Sequence, residues 1–179
     1  MDRAVVLIDG GYIAKVIDQD FGRTRIDFLK FSDIVCEGTE RLRTYYYNCM
    51  PYQHDPPSDE ERARFSSMDK FIYSLKKYPR FEVRLGKLQQ IAGEFTQKRV
   101  DILMAVDLVR MSWGKQIGKA ILITGDSDFV PAVEAAKDAG VIVQLYYSRR
   151  AIHDELLLAV DDSFEITREM IDKSLLIKH

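Results

Sequence analysis

Four aspartates, arriving in three separate stretches, carry the chemistry this sequence has to offer. Asp9 follows the apolar run Ala4-Val-Val-Leu-Ile8 and precedes Gly10-Gly11. Asp126 and Asp128 follow a second run, Ala120-Ile-Leu-Ile-Thr124, across Gly125. Asp101 stands near the start of a long apolar segment, behind Lys98 and Arg99. Two carboxylates about 5 Å apart repel by roughly 3 kcal/mol at an effective dielectric of about 20. Four gathered in one crevice need a cation to stay ionised, and an all-oxygen donor set points to Mg²⁺ or Mn²⁺ rather than zinc. A hard divalent cation held at a strand edge is apparatus for phosphoryl transfer, because it activates water, orients phosphate and stabilises the leaving oxygen. Taken singly, Asp128 and Asp101 read more simply as helix caps. Asp9 does not, since an acid directly after a fully apolar strand has no propensity reason to stand there. Coincidence of the four favours a site.

The residues around these acids have narrower roles. Asp107 lies six residues past Asp101, about 240° around a helix. It therefore faces away and reads as a buried carboxylate bonded to backbone or hydroxyl groups, supporting the site from behind. Thr124, last in its apolar run, is expected in a similar supporting position. Ser127 has no His or Lys partner implied, and reads as a hydroxyl that touches phosphate or caps a helix. Gly10-Gly11 lacks the lysine of a P-loop and the full dinucleotide pattern. His54, His153 and His179 are scattered, and none is assigned a role.

Bringing the acids to one edge requires a particular architecture. Ala4–Ile8, apolar throughout, reads as a central strand buried on both faces. Lys119–Tyr147 reads as one β-α-β unit: a strand over 120–124, a helix opened by Pro131 and stopped by Gly140, and a strand over 141–147. Parallel strands and a right-handed crossover leave Asp126 and Asp128 at the edge where open α/β sheets bind ligands. Upstream, the pattern predicts a helix from about Tyr12 to Gly22, a second from Asp27 to Gly38, and a strand over 43–48. Tyr45-Tyr46-Tyr47 reads as strand packing. Ser58 with Glu61 forms a capping box before a helix with Phe65, Met68, Phe71, Ile72 and Leu75 on one face. An outer strand over 81–85 and a polar connection over 86–97 come next. The helix over 100–113 is apolar on nearly all sides, hence expected deep in the structure. His153–Val160 reads as helix, 164–167 as a short strand, and a final helix opens near Arg168. Strands alternating with helices give the α/β class: a three-layer α/β/α Rossmann-like domain with a mostly parallel central sheet.

Composition sets the outer bounds. With 179 residues, 46% hydrophobic and 30% charged, the chain reads as one domain over 1–179, with the helix from about 168 as an appendage. No apolar run reaches membrane-spanning length and the start enters a strand directly, so the expected location is the cytoplasm. Cys36 and Cys49 have no metal-knuckle spacing and read as buried free thiols. The formal net charge of −2 hides an asymmetry, for Arg62–Arg99 holds ten Lys/Arg against three Asp/Glu. That excess suits either a solvated helix face or a surface that meets phosphates. A homodimer is compatible with a domain of this size and class, although no residue signals one.

The stretches VVLIDGGYI at 5–13, QKRVDILMAVDL at 97–108 and ITGDSDFVPAVEAAKDAGVIV at 123–143 resemble, in order and spacing, the NYN domain family. This is the PIN-like nuclease group that includes LabA-like proteins. The resemblance implies a Rossmann-type sheet, an acidic pocket that binds Mg²⁺ or Mn²⁺, and cleavage of RNA. It implies Asp9, Asp101, Asp126 and Asp128 as metal ligands or catalytic acids, with Lys98 contacting phosphate. Where many relatives read Asp-Gly-x-Asn, this chain has Asp9-Gly10-Gly11-Tyr12, a phenol in place of an amide beside the substrate. The expected function is a metal-dependent phosphodiesterase, an endoribonuclease acting on single-stranded or structured RNA guided by Arg84, Lys87, Lys98 and Arg99. The alternative is a catalytically weak or inactive module that binds RNA or regulates. A small-molecule phosphatase ranks last, because no Asp-x-Asp follows the first strand.

Overall fold

The computed structural model describes residues 3–86, 89–91, 94–96 and 98–177, without the side chains of 89–91, 94–96, 98 and 99. The first strand, β1 (Arg3–Asp9), has no exposed side chain from Ala4 to Ile8, which is why its sequence does not alternate. Helix α1 (Gly10–Phe21) begins at once, because the Asp9 carboxylate accepts from the Tyr12 amide and caps it. Asp27 caps α2 (Phe28–Val35) in the same way, and the chain returns as β2 (Glu40–Cys49). Ser58 and Glu61 form the full reciprocal box that opens α3 (Asp59–Lys76), which leads to β3 (Phe81–Gly86). A small antiparallel pair, β4 (Gln89–Ile91) and β5 (Glu94–Thr96), precedes α4 (Lys98–Trp113). Next come β6 (Lys119–Ile123), a 3-10 turn at Ser127–Phe129, α5 (Val130–Asp138) with Pro131 in its first turn, and β7 (Ile142–Tyr147). Helix α6 (Asp154–Ala159), strand β8 (Asp162–Glu165) and helix α7 (Arg168–Lys173) complete the described chain.

Six strands pair in the order β3-β2-β1-β6-β7-β8, all parallel. Chain order runs outward from β1 in both directions, so the sheet's switch point lies between β1 and β6. Two apolar layers sandwich it. Val5 and Leu7 face the core shared with α4, α5 and α6. Ala4, Val6 and Ile8 face the core shared with α1, α2, α3 and α7. The architecture is thus the expected three-layer α/β/α form, with β3 on the outside as predicted. Cys36 and Cys49 are buried free thiols, and Tyr45, Tyr46 and Tyr47 are packed inside. Among the described residues no helix is long and apolar enough to cross a membrane.

Four local expectations need correction. Helix α4 is not deep: Ile102 is 61% exposed, Val106 56% and Trp113 61%. It packs Val100, Met104, Leu108 and Met111 on the sheet and leaves its opposite face open, a case in which apolar content misreports burial. The segment expected as a polar connection contains the β4–β5 hairpin. The last strand begins at Asp162 rather than Phe164, drawn back by pairing with β7 at Gln144. The first helix starts two residues before Tyr12, for the capping reason given above.

One close approach fixes the start of α1 against the sheet. A methyl group at Gly10 would come 2.7 Å from the Tyr47 carbonyl oxygen and 2.7 Å from Cζ of Tyr46. Alanine's advantage over glycine in a helix is at most about 1 kcal/mol. Overpacking costs about 1–3 kcal/mol, so Gly10→Ala should lower stability in urea unfolding. A midpoint at or above the parent's would show that α1 does not sit this tightly.

Candidate functional site: an acidic cavity at the carboxyl edge of the sheet

Parallel register delivers the first two acids. Ile8 pairs with Ile123, so Asp9 and Thr124 leave the sheet side by side. The Asp9 carboxylate accepts from the Tyr12 amide at 3.1 Å and from the Thr124 hydroxyl at 3.3 Å. The same hydroxyl accepts from the Asp126 amide at 3.4 Å. Buried Thr124 therefore links the two acidic strand ends. Asp126 caps the 3-10 turn by accepting from the Asp128 amide at 2.9 Å. Asp101, in the first turn of α4, completes the acidic wall.

Asp9, Asp101 and Asp126 line one open cavity of about 580 Å³ with Tyr12 and Lys15 of α1. Its other wall is the segment after β7, including Arg150 and His153. That segment is strapped to α1. The Ser148 amide donates to the Tyr12 hydroxyl at 2.9 Å, the Ser148 hydroxyl donates to Asp20, and the Arg150 guanidinium lies 3.6 Å from Asp20. Gly125 makes the approach possible, since a methyl there would come 2.2 Å from the Ala151 carbonyl oxygen and 2.6 Å from the Tyr12 ring.

The carboxylates perturb one another. Burial raises the Asp9 carboxyl, the charge of Asp126 adds to this, and the bonds from Tyr12 and Thr124 oppose it. Asp101 is pushed up to about 6, first by burial and then by the charges of Asp9, Asp126 and Asp128. Burial also pushes the Tyr12 phenol up to about 12, so it stays protonated at neutral pH.

The donor chemistry fits a hard divalent cation: three carboxylates on one cavity, with Asp9 raised in part by the charge of Asp126 and Asp101 in part by those of Asp9 and Asp126. Among the described residues, no three acidic, histidine or cysteine side chains already stand close enough to hold an ion together.

Other expected site residues fall elsewhere. Asp128 is exposed and does not line the cavity, although its charge reaches Asp101. Ser127 begins the 3-10 turn and is also outside the lining, while the cap it was expected to supply comes from Asp126. Arg84 does not line the cavity either. It lies 3.3 Å from the Asp107 carboxylate and over the Tyr45 ring. Asp107 is buried and hydroxyl-bonded as expected, accepting from Tyr47 at 2.9 Å, and it also pairs with Arg110 at 2.9 Å. Lys87 and the side chains of Lys98 and Arg99 lie outside the described residues. Lys15, Arg150 and His153 were not singled out from sequence. Lys15 follows Tyr12 by three, one helical turn, and Arg150 lies three residues past the second strand of the β-α-β unit, so both signals were present.

The raised Asp101 carboxyl has a consequence for stability. Folding tightens its hold on a proton, so the folded state is penalised above about pH 6, and the penalty fades as pH falls toward the unfolded value. Asp101→Asn should therefore unfold at higher urea than the parent at about pH 7, with the gap closing toward about pH 4. A gap independent of pH would mean that Asp101 is not perturbed.

A crystal structure of a protein of unknown function from Vibrio parahaemolyticus has the same fold, with a TM-score of 0.67 at 19% identity over 98% of this chain and 96% of that one. Comparison with curated proteins finds no match. The model of the NYN domain, a PIN-like nuclease group, matches residues 3–167 and so spans all three acidic stretches; the chain belongs to the NYN domain family.

Proposed function

We propose that this protein is a metal-dependent endoribonuclease acting on single-stranded or looped RNA. The observation that carries the reading is the meeting of Asp9, Asp101 and Asp126, from three distant stretches, on one open cavity with cations at its rim. Asp9, Asp101 and Asp126 are the residues that would hold Mg²⁺ or Mn²⁺. When bound, such an ion neutralises charge at a phosphodiester and makes water more acidic.

The chain's own groups do the rest. Asp9 and Asp126 are oriented before any ligand arrives, by Thr124 and by backbone amides. Asp101 faces the same cavity from α4 and would complete the carboxylate donors for that ion. Lys15 has no ion-pair partner among the described residues and is available to a phosphate oxygen. Arg150 shares its charge with Asp20 and offers a second, weaker hold. Tyr12 accepts from the Ser148 amide, which leaves its own proton to donate toward substrate. Asp128 contributes through its field on Asp101. An openly accessible cavity suits a strand lying across it better than a small phosphomonoester, which favours RNA over the phosphatase reading. The non-cleaving RNA-binding module is the second reading, favoured by Tyr12, a phenol that accepts from the Ser148 amide where many relatives have an amide side chain.

Asp9→Asn and Asp126→Asn keep a side chain able to cap, so both should fold. Each should lower cleavage of a mixed RNA pool by about a hundredfold or more, and chelator should do the same to the parent. Mn²⁺ at about a hundred times its dissociation constant should stabilise the parent by about 2.7 kcal/mol in thermal unfolding, and neither variant. Full activity in either variant, or stabilisation that survives both substitutions, would end the nuclease proposal.

A further inference from the structure

A neighbouring face of α1 carries a second cavity, of about 700 Å³, that shares no lining residue with the acidic one. It lies between α1, α3 and the segment that joins α1 to α2. Its floor is mostly apolar, formed by Phe28, Tyr46, Phe71 and Leu75 among others. Three of these rings meet edge to face, with centroids 5.3 Å apart for Phe28–Tyr46, 5.9 Å for Phe28–Phe71 and 5.7 Å for Tyr46–Phe71. Such mutual packing leaves the floor preformed, with few ways to collapse onto itself. Water against an apolar floor of this kind is readily displaced by an apolar body, and the volume is that of a small-molecule site.

The rim is charged in one sense. Arg23, Arg25, Lys70 and Asp18 line it, and Arg23 is already paired with Asp18. Arg25 and Lys70 have no ion-pair partner among the described residues. Two cations thus border an apolar floor, and the one acid in the lining, Asp18, is already paired. A cavity with this division of labour selects a ligand with one flat or branched apolar end and one anionic end, whose charge stays near solvent while its body meets the rings. We infer that this cavity is a second ligand site, for a small amphiphilic anion, separate from the acidic cavity and independent of the nuclease reading.

The probe is anilinonaphthalenesulfonate, an aromatic body with a single anionic group, titrated by fluorescence into protein whose circular dichroism confirms the native fold. Saturable binding is expected. The paired reversal Arg25→Glu and Lys70→Glu should weaken it about tenfold or more, whereas the paired reversal Arg64→Glu and Lys76→Glu, on exposed positions of α3 outside the lining, should not. Met68→Trp, which fills the cavity, should abolish binding without altering the native signal. Uncharged phenylnaphthylamine should bind the parent more weakly and ignore the Arg25 and Lys70 reversal. No binding to the native protein would overturn the inference. Equal loss in both reversed pairs, or undiminished binding in Met68→Trp, would do so as well.

Discussion

A carboxylate placed at the end of a strand without exposed neighbours has to be solvated by the protein itself. Asp9 meets that constraint with two donors, the Tyr12 amide and the Thr124 hydroxyl. The first exists only if a helix turns at once off β1, and the second only if β6 lies parallel to β1 in the observed register. The central pairing of the sheet and the solvation of one charge are therefore the same arrangement. Those donors do not fully replace water, since the carboxyl remains raised by burial. What is left over is an oriented oxygen pair with unmet demand for positive charge.

The three layers were legible in the sequence because parallel strands buried on both faces spell uninterrupted branched apolar runs. Those runs, at Ala4–Ile8 and Ala120–Ile123, also located Asp9 and Asp126. Side-chain direction was less legible. Helix α4 looks apolar all round, yet Ile102 and Val106 face solvent because only one side of it meets the sheet. Arg84 and Asp107 were read as separate contributors, but the register of Tyr47 with Arg84 across β2 and β3 brings both to one place. Contacts of this kind depend on which strands become neighbours, and no local pattern encodes that.

Asp9 and Asp126 also turn out to be caps, so each has a structural reason to be an aspartate. Capping alone does not account for Asp101, which arrives on a helix from the other side of the cavity with its carboxyl near 6. Nor does it account for the Gly125 approach, which closes the β7 segment against Tyr12 and gives the cavity its far wall. Convergence, rather than any one acid, distinguishes a site from three well-formed helix starts.

Asp107 governs the azimuth of α4. Its carboxylate is gripped by a phenol from β2, a guanidinium from β3 and another from its own helix, and it is almost wholly enclosed. A cylinder pinned at one point on its circumference cannot roll, so the bearing of Asp101 one and two-thirds turns earlier is set as well. The Tyr47 bond, buried at both ends, is largely unscreened by dissolved ions, whereas the Arg110 guanidinium is mostly exposed. Rising ionic strength therefore weakens the exposed Arg110 arm while leaving the buried Tyr47 arm, and with it the aim of Asp101, in place.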